Sequence, residues 1–149
     1  SACATSDSAM SARIALFAAA LWWGSLTAVG FVVVPLLFAR LPSRALAGNL
    51  GAQLFTAQTW ISVTCALVLL LVYKSNRPVA PAGHARTAIM FIVLGMLLAL
   101  LIEFAVAPRI VTRVHLRLWH NVGTGLYVLQ WLCAGAVLWR LGSDKRGAA

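Results

Sequence analysis

The chain predicts an all-α fold, a four-helix transmembrane bundle, and three observations carry the prediction. Hydrophobic residues make up 62% of its 149 residues and charged residues only 10%, against roughly 25% charged in an average soluble domain. The apolar residues gather into four blocks, 14–36, 50–73, 87–107 and 118–139, of 21 to 24 residues each. About 20 helical residues cross a hydrocarbon core of about 30 Å, so each block is long enough to span. Of the 15 charged residues, 14 lie outside the blocks, and the exception is Glu103. An ordinary soluble domain is excluded, and the remaining segments are too short for a second folded unit. The domain plan is a disordered tail at 1–12, a membrane domain at 13–141 and a polar tail at 142–149.

Arg13 marks the lipid boundary of the first span. Ala20, Gly24 and Ala28 recur every four positions, a spacing that lets helices approach closely, and this stripe is expected to face the bundle. Pro35 and Pro42 require the helix to stop between them or to continue with a kink. Ser43 is the expected N-cap of the next helix. The stretch RALAGNLGAQLF, 44–55, is amphipathic enough to run from the interface into the second span. There Gln58, Ser62 and Cys65 share one face at 100° per residue, and that face is expected to look inward. The segment KSNRPVAPAGHAR, 74–86, reads as an interfacial turn between two hairpins. The third span stops at Ala107-Pro108-Arg109, a link of about ten residues follows, and the fourth span opens with Trp119, His120 and Asn121. His120, Thr124, Tyr127 and Trp131 fall on one narrow face of it. Trp22, Trp60, Trp119 and Trp139 are expected as interfacial anchors.

Twelve Lys and Arg against three acids give a net charge of +9. The basic residues spread over every link and end, as expected of side chains that reach headgroups, and no nucleic-acid-binding motif accompanies them. The lipid bilayer is the expected surrounding, with a membrane-protein partner or a homo-oligomer as a further expectation and no nucleic acid. Segment 1–12 lacks the basic stretch of a cleaved leader, so the first helix is expected to be retained. Seven basic residues on the side of the termini against five on the other favour cytoplasmic termini in a bacterial inner membrane. Cys3, Cys65 and Cys133 have no metal-ligand spacing and form no disulfide framework.

Alternating helix direction brings the end of the third span and the starts of the second and fourth to one face. Glu103, His120 and Gln58 can meet there, with Arg109 folding back toward Glu103. A carboxylate within hydrocarbon must be protonated, paired or facing water, which makes Glu103 a candidate functional residue. One reading is a proton- or cation-linked transport or ligand-binding site formed by Glu103, His120, Gln58 and Arg109. A second is a structural polar network that fixes helix register, in an accessory or scaffold subunit of a larger membrane complex. A lower-ranked third is haem or metal handling, with His120 and His115 as donors and no other cofactor implied. No nucleophile and base pair and no phosphate-binding glycine loop accompany these residues, so enzymatic activity is not expected.

The stretch LWWGSLTAVGFVVVPLLFARLPSRALAGNLGAQLF, the turn at Pro108-Arg109-Ile110 and the segment RLWHNVGTGLYVLQW resemble, in that order, domain-of-unknown-function family 4149, the transmembrane protein 205-like proteins. The likeness runs from about Arg13 to Trp139 and rests on Trp23, Gly24, Pro35 to Phe38, Ala47, Gly48, Leu54 and Phe55. It carries the family's proline-arginine turn onto Pro108 and Arg109 and its last-helix histidine onto His120. Two features depart from the family pattern, a compact link before His120 and Asn121 where glycine usually follows the histidine. The resemblance implies a four-helix integral membrane protein and names no reaction.

Overall fold

The computed structural model describes residues 2–75, 82–112 and 115–144, and among these every regular element is a helix. The order is α1 (Ala2–Thr27), a π-helical turn π1 (Ala28–Val33), α2 (Val34–Arg40), α3 (Arg44–Ser75), α4 (Ala82–Leu101), a second π-helical turn π2 (Ile102–Val106), α5 (Ala107–Val111) and α6 (Leu116–Asp144). Four continuous stretches are long and apolar enough to cross a membrane: Ala9–Arg40, Arg44–Ser75, Arg86–Ile110 and Arg117–Ser143. They contain all four blocks expected from hydropathy.

The helices pack in a ring. α1 lies against α3 and α6, and α4 lies against the same two, so first and third spans face each other across the middle, as do second and fourth. One end of the ring, the Pro42 end, carries the link at 41–43 together with Thr112 and His115. The other is the Lys74 end. Ser43 caps α3 as expected: its hydroxyl oxygen accepts from the Leu46 N–H at 3.2 Å. At the start of α6 the His115 carbonyl accepts from Leu118 and Trp119 N–H, with His115 in the left-handed region at φ 46°.

Several boundaries lie beyond their expected places. α1 begins at Ala2, so residues 2–12, expected as a tail, continue the helix of the first span. They are rich in alanine, the strongest helix former, and extending an existing helix avoids the cost of nucleation. α4 begins at Ala82, inside the expected turn, and α6 runs to Asp144, past Gly142. Residues 76–81 of that turn, Arg113 and residues 145–149 of the expected C-terminal tail lie outside the described residues.

Pro35 does not stop the first span. A proline inside a helix lacks an N–H and its ring crowds the carbonyl four residues earlier; for Pro35 that carbonyl belongs to Phe31, inside π1, and α2 resumes with Pro35 in its first turn. Pro108 repeats the arrangement, with π2 ending at Val106 and α5 resuming around the proline. A π turn adds a residue to the helical repeat and shifts the backbone bonds that proline would otherwise break. Both turns sit in the Pro42 half of the bundle, on the two spans that face each other.

The core also differs from the expected pattern. The inward face of α1 carries Ala15, Ala19, Trp22 and Leu26, all buried, whereas Ala20 and Ala28 are exposed and Gly24 has open space around it. Bulk decides the choice: turned inward, the Trp22 ring makes far more close packing contact with the neighbouring helices than any alanine could. Trp22 is therefore a core residue and no interfacial anchor; Trp60 is exposed but lies midway along the second span, two residues from Gln58, so it is no interfacial anchor either, while Trp139 is exposed near the Lys74 end. The glycines that permit close approach are others. A Cβ at Gly95 would lie 2.7 Å from the Trp22 ring, and one at Gly135 3.0 Å from Trp23 Nε1. Lipid-facing positions such as Phe17, Leu21, Leu71, Met90 and Phe104 are large, apolar and exposed.

Candidate functional site

A cavity of about 370 Å³ opens in the Pro42 half, and all four spans contribute to its wall. Its size lies within the range of small-molecule sites, about 300 to 1,000 Å³. The two π turns supply Gly30, Phe31, Ile102 and Val106, and α3 supplies Gly48, Gly51, Ala52 and Phe55. The glycines of α3 make the room: a Cβ placed on Gly48 or Gly51 meets nothing within 4 Å. Gly51 is nonetheless buried, so the space beside it is internal.

Tyr127 forms the floor. Its hydroxyl donates to the Leu26 carbonyl at 2.8 Å, and its ring meets Phe55 edge-on, 5.4 Å between centroids at 80°. Gly30 is needed where the ring passes, since a Cβ there would stand 2.5 Å from Tyr127 Cε1. Beside the floor an aromatic cluster braces π1: Trp131 lies 5.6 Å from both Trp23 and Phe31, and its Nε1 donates to Thr27 Oγ1 at 2.9 Å.

Three polar side chains line the cavity, His120, Thr124 and Tyr127. Thr124 donates its hydroxyl proton back to the His120 carbonyl at 2.9 Å, and Tyr127 is engaged with Leu26. The His120 imidazole has no hydrogen-bond partner among the described residues and is exposed at the mouth. The expected face of His120, Thr124 and Tyr127 on the fourth span thus lines the cavity, while its fourth member, Trp131, packs beside the floor.

The four residues expected to form one cluster occupy four separate places. Glu103, on π2, is half-buried and accepts from the Thr56 hydroxyl at 2.9 Å. Arg109, at the surface of α5, donates from Nη1 to the Ala105 carbonyl at 3.0 Å and holds its guanidinium 4.3 Å from the centre of the Trp119 ring. No ion pair joins Arg109 to Glu103: Thr56 meets the carboxylate from the neighbouring helix, and Arg109, six residues further on, reaches the interface and finds an aromatic face there. His120 stands at the cavity mouth.

Gln58 is deeper, in a buried layer halfway along the spans. Its Nε2 donates to Ser25 Oγ at 3.0 Å and Ser62 Oγ at 3.3 Å, and Gln130 Nε2 donates to the same Ser62 oxygen at 3.0 Å. Both serine protons go to backbone carbonyls, Ser25 to Trp22 and Ser62 to Gln58. Gln58 Oε1 and Trp22 Nε1 are buried without a hydrogen-bond partner among the described residues. The inward face of Gln58, Ser62 and Cys65 is as expected. Gln130 and Ser25 went unnoticed, although a glutamine three residues after Tyr127 in an apolar helix is itself a sign of an inward polar contact. Gly48 and Gly51 likewise stood in plain view as GNLG, and what they lacked was a partner helix to show that the space stays open.

His115 is exposed on the link and does not line the cavity. Among the described residues, no group of three or more His, Cys, Asp and Glu side chains gathers to hold a metal ion. The arrangement is suited to binding: an apolar chamber with one imidazole at its mouth.

The domain of unknown function DUF4149 matches residues 17–117, more than half of the chain and the whole stretch from the first span to the start of the fourth. The cavity wall before α6 lies inside that stretch, and Tyr127 and His120 lie beyond it. No curated protein and no solved structure matches the chain. With four helices long and apolar enough to span and a family match of this extent, the chain belongs to the DUF4149 family and is a multi-pass integral membrane protein.

Proposed function

We propose that the protein binds a small, mainly apolar molecule inside the Pro42 half of its bundle. The observation that carries this reading is the cavity of about 370 Å³, walled by all four spans and offering three polar side chains. Apolar pockets with a few convergent polar groups are the usual form of a small-molecule site. Two features support a built chamber over a packing fault. Both π turns fall on its wall, and such turns recur at functional sites. Gly48 and Gly51 keep it open where alanine or leucine would serve a helix better. A proton- or cation-linked site is less well supported, because Glu103 bonds to Thr56 and Gln58 belongs to the layer below the floor. We further propose a bacterial inner membrane with both termini cytoplasmic, a placement supported by the seven-to-five excess of basic residues on the side of the termini.

The test is native mass spectrometry of the full chain released from mild detergent. A retained small molecule is expected in the parent protein and absent from Gly51→Leu, whose side chain fills the space beside α3. A bare protein in both samples, with both well folded, would sink the reading.

A second reading, an accessory subunit, is favoured by one feature. The first span is the least buried of the four, and its outer face presents Phe17, Leu21 and Leu36 to lipid or to a partner helix. Stoichiometric co-purification with a larger membrane protein, lost on replacing Phe17 and Leu21 with alanine, is the outcome this reading requires.

A further inference from the structure

We infer that the occupant of the cavity is an anionic single-chain amphiphile taken from the bilayer, its chain in the apolar chamber and its carboxylate or phosphate head at the Pro42 end. The inference rests on the binding reading above and adds the chemical class of the ligand.

The argument begins with charge. The Pro42 end carries Arg40, Arg44, Arg109 and Arg117. The acid in this half of the bundle, Glu103, is hydrogen-bonded to Thr56 and is not part of the cavity wall. Among the described residues none of these arginines is paired with a carboxylate. The end is thus a positive rim around an apolar opening, and the complementary occupant is apolar along its length and negative at its head.

Arg109 is the arginine best placed to read that head. One N–H is committed to the Ala105 carbonyl, and the guanidinium plane rests on Trp119, the residue next to His120. The stacking holds the planar fork at a set height, and a fork held in place loses less freedom on meeting a carboxylate or phosphate than a flexible lysine would. Its neighbour Ile110 lines the cavity. His120, also on the wall, adds an imidazole donor from α6. From His120 down to Tyr127 is seven residues, about 10 Å at 1.5 Å per residue, and that length is lined by methyl groups, glycines and aromatic rings, a surface for an alkyl chain and not for a second charged group.

The experiment uses the full chain in lipid nanodiscs and a matched pair of photoreactive probes, a diazirine-bearing fatty acid and the fatty alcohol of the same chain. Modified residues are located by peptide mass spectrometry. Acid adducts are expected on wall residues such as Val34, Ala52 and Val128, at several times the yield of the alcohol. Arg109→Gln should lower the acid yield about tenfold, the loss expected for one charge-assisted hydrogen bond, and leave the alcohol yield unchanged. Arg109→Lys should fall between, which separates recognition by the fork from a mere loss of folding. Equal labelling of the wall by acid and alcohol, insensitive to Arg109, would overturn the anionic head and leave the binding reading standing. Labelling confined to outward positions such as Phe104 and Leu97 in both the parent and Gly51→Leu would overturn both, because the probes would then report only surrounding lipid.

Discussion

Two pairs of glycines, one in each half of this bundle, are used in opposite ways. Gly95 and Gly135, in the Lys74 half, are places where something large has come close, as Gly30 is above the floor: Gly95 receives the Trp22 ring, and Gly135 receives the edge of Trp23. In the Pro42 half Gly48 and Gly51 receive nothing, and the space beside them is the cavity. Helices in lipid gain little from excluding water between them, so close packing is what holds them together. A half that forgoes packing is therefore held by something else. Here the holding elements are the polar layer of Ser25, Gln58, Ser62 and Gln130, the Tyr127 bond to Leu26, and the aromatic cluster around Trp131.

One substitution made in both halves breaks the comparison most directly. Gly95→Ala pushes a methyl group into the Trp22 ring, where the ring is walled in and cannot retreat. Overpacking of this kind costs about 1 to 3 kcal/mol, so the variant should unfold at lower denaturant than the parent. The same change at Gly51 places a methyl group in open space, and the helix gains up to about 1 kcal/mol from the loss of glycine. Opposite signs in a detergent unfolding series, with the larger change at Gly95, are the expected outcome. If both variants were destabilised alike, the space beside Gly51 would be closed in the membrane and the two halves would not differ.

A smaller effect is expected at the floor. Tyr127→Phe removes the hydrogen bond to the Leu26 carbonyl but keeps the ring against Phe55 and over Gly30, so the stability loss should be about 1 kcal/mol. The carbonyl left behind faces a π turn, where backbone bonding is already irregular. A ligand held in the cavity should leave faster from this variant, measured as a shorter residence time by native mass spectrometry, because the floor is no longer pinned to the first span.

The spans were legible because length and hydropathy are properties of single segments. The inward face of the second span was legible for a related reason: Gln58 and Ser62 are polar in an apolar stretch, and only the inside of a bundle offers them partners. What could not be read was any feature set by two segments at once. Trp22 is buried because Gly95 stands across from it, and nothing near Trp22 in the chain announces Gly95. The stripe Ala20, Gly24 and Ala28 had the right spacing for a contact face, but Trp22 and Leu26, on the opposite side of the helix, make more packing contact and claim the interface. Glu103 could be recognised as unusual, yet its partner Thr56 lies 47 residues away among several other hydroxyls. The π turns were hidden behind their prolines, since the same sequence permits a kink or a stop.

The least effect should come from the layer that separates the two halves. Gln58→Leu removes two donated hydrogen bonds, but it also removes a buried carbonyl that has no partner. Such an orphan costs free energy in the parent protein and nothing in the variant, so gain and loss partly cancel. Polar contacts between membrane helices contribute on average about 0.6 kcal/mol, with a maximum near 1.7, and the expected loss is at or below the average. A loss well above that maximum in a denaturant series would mean that the oxygen does have a partner in the membrane, and a buried water between Gln58 and Trp22 Nε1, the other unpartnered group, is the first to look for. In that case the layer joins the two halves through a shared hydrogen-bond chain, and ligand release from the Pro42 half should respond to substitutions at Trp22. If the loss is small, the layer acts as a spacer, and the cavity and the packed half can be altered independently.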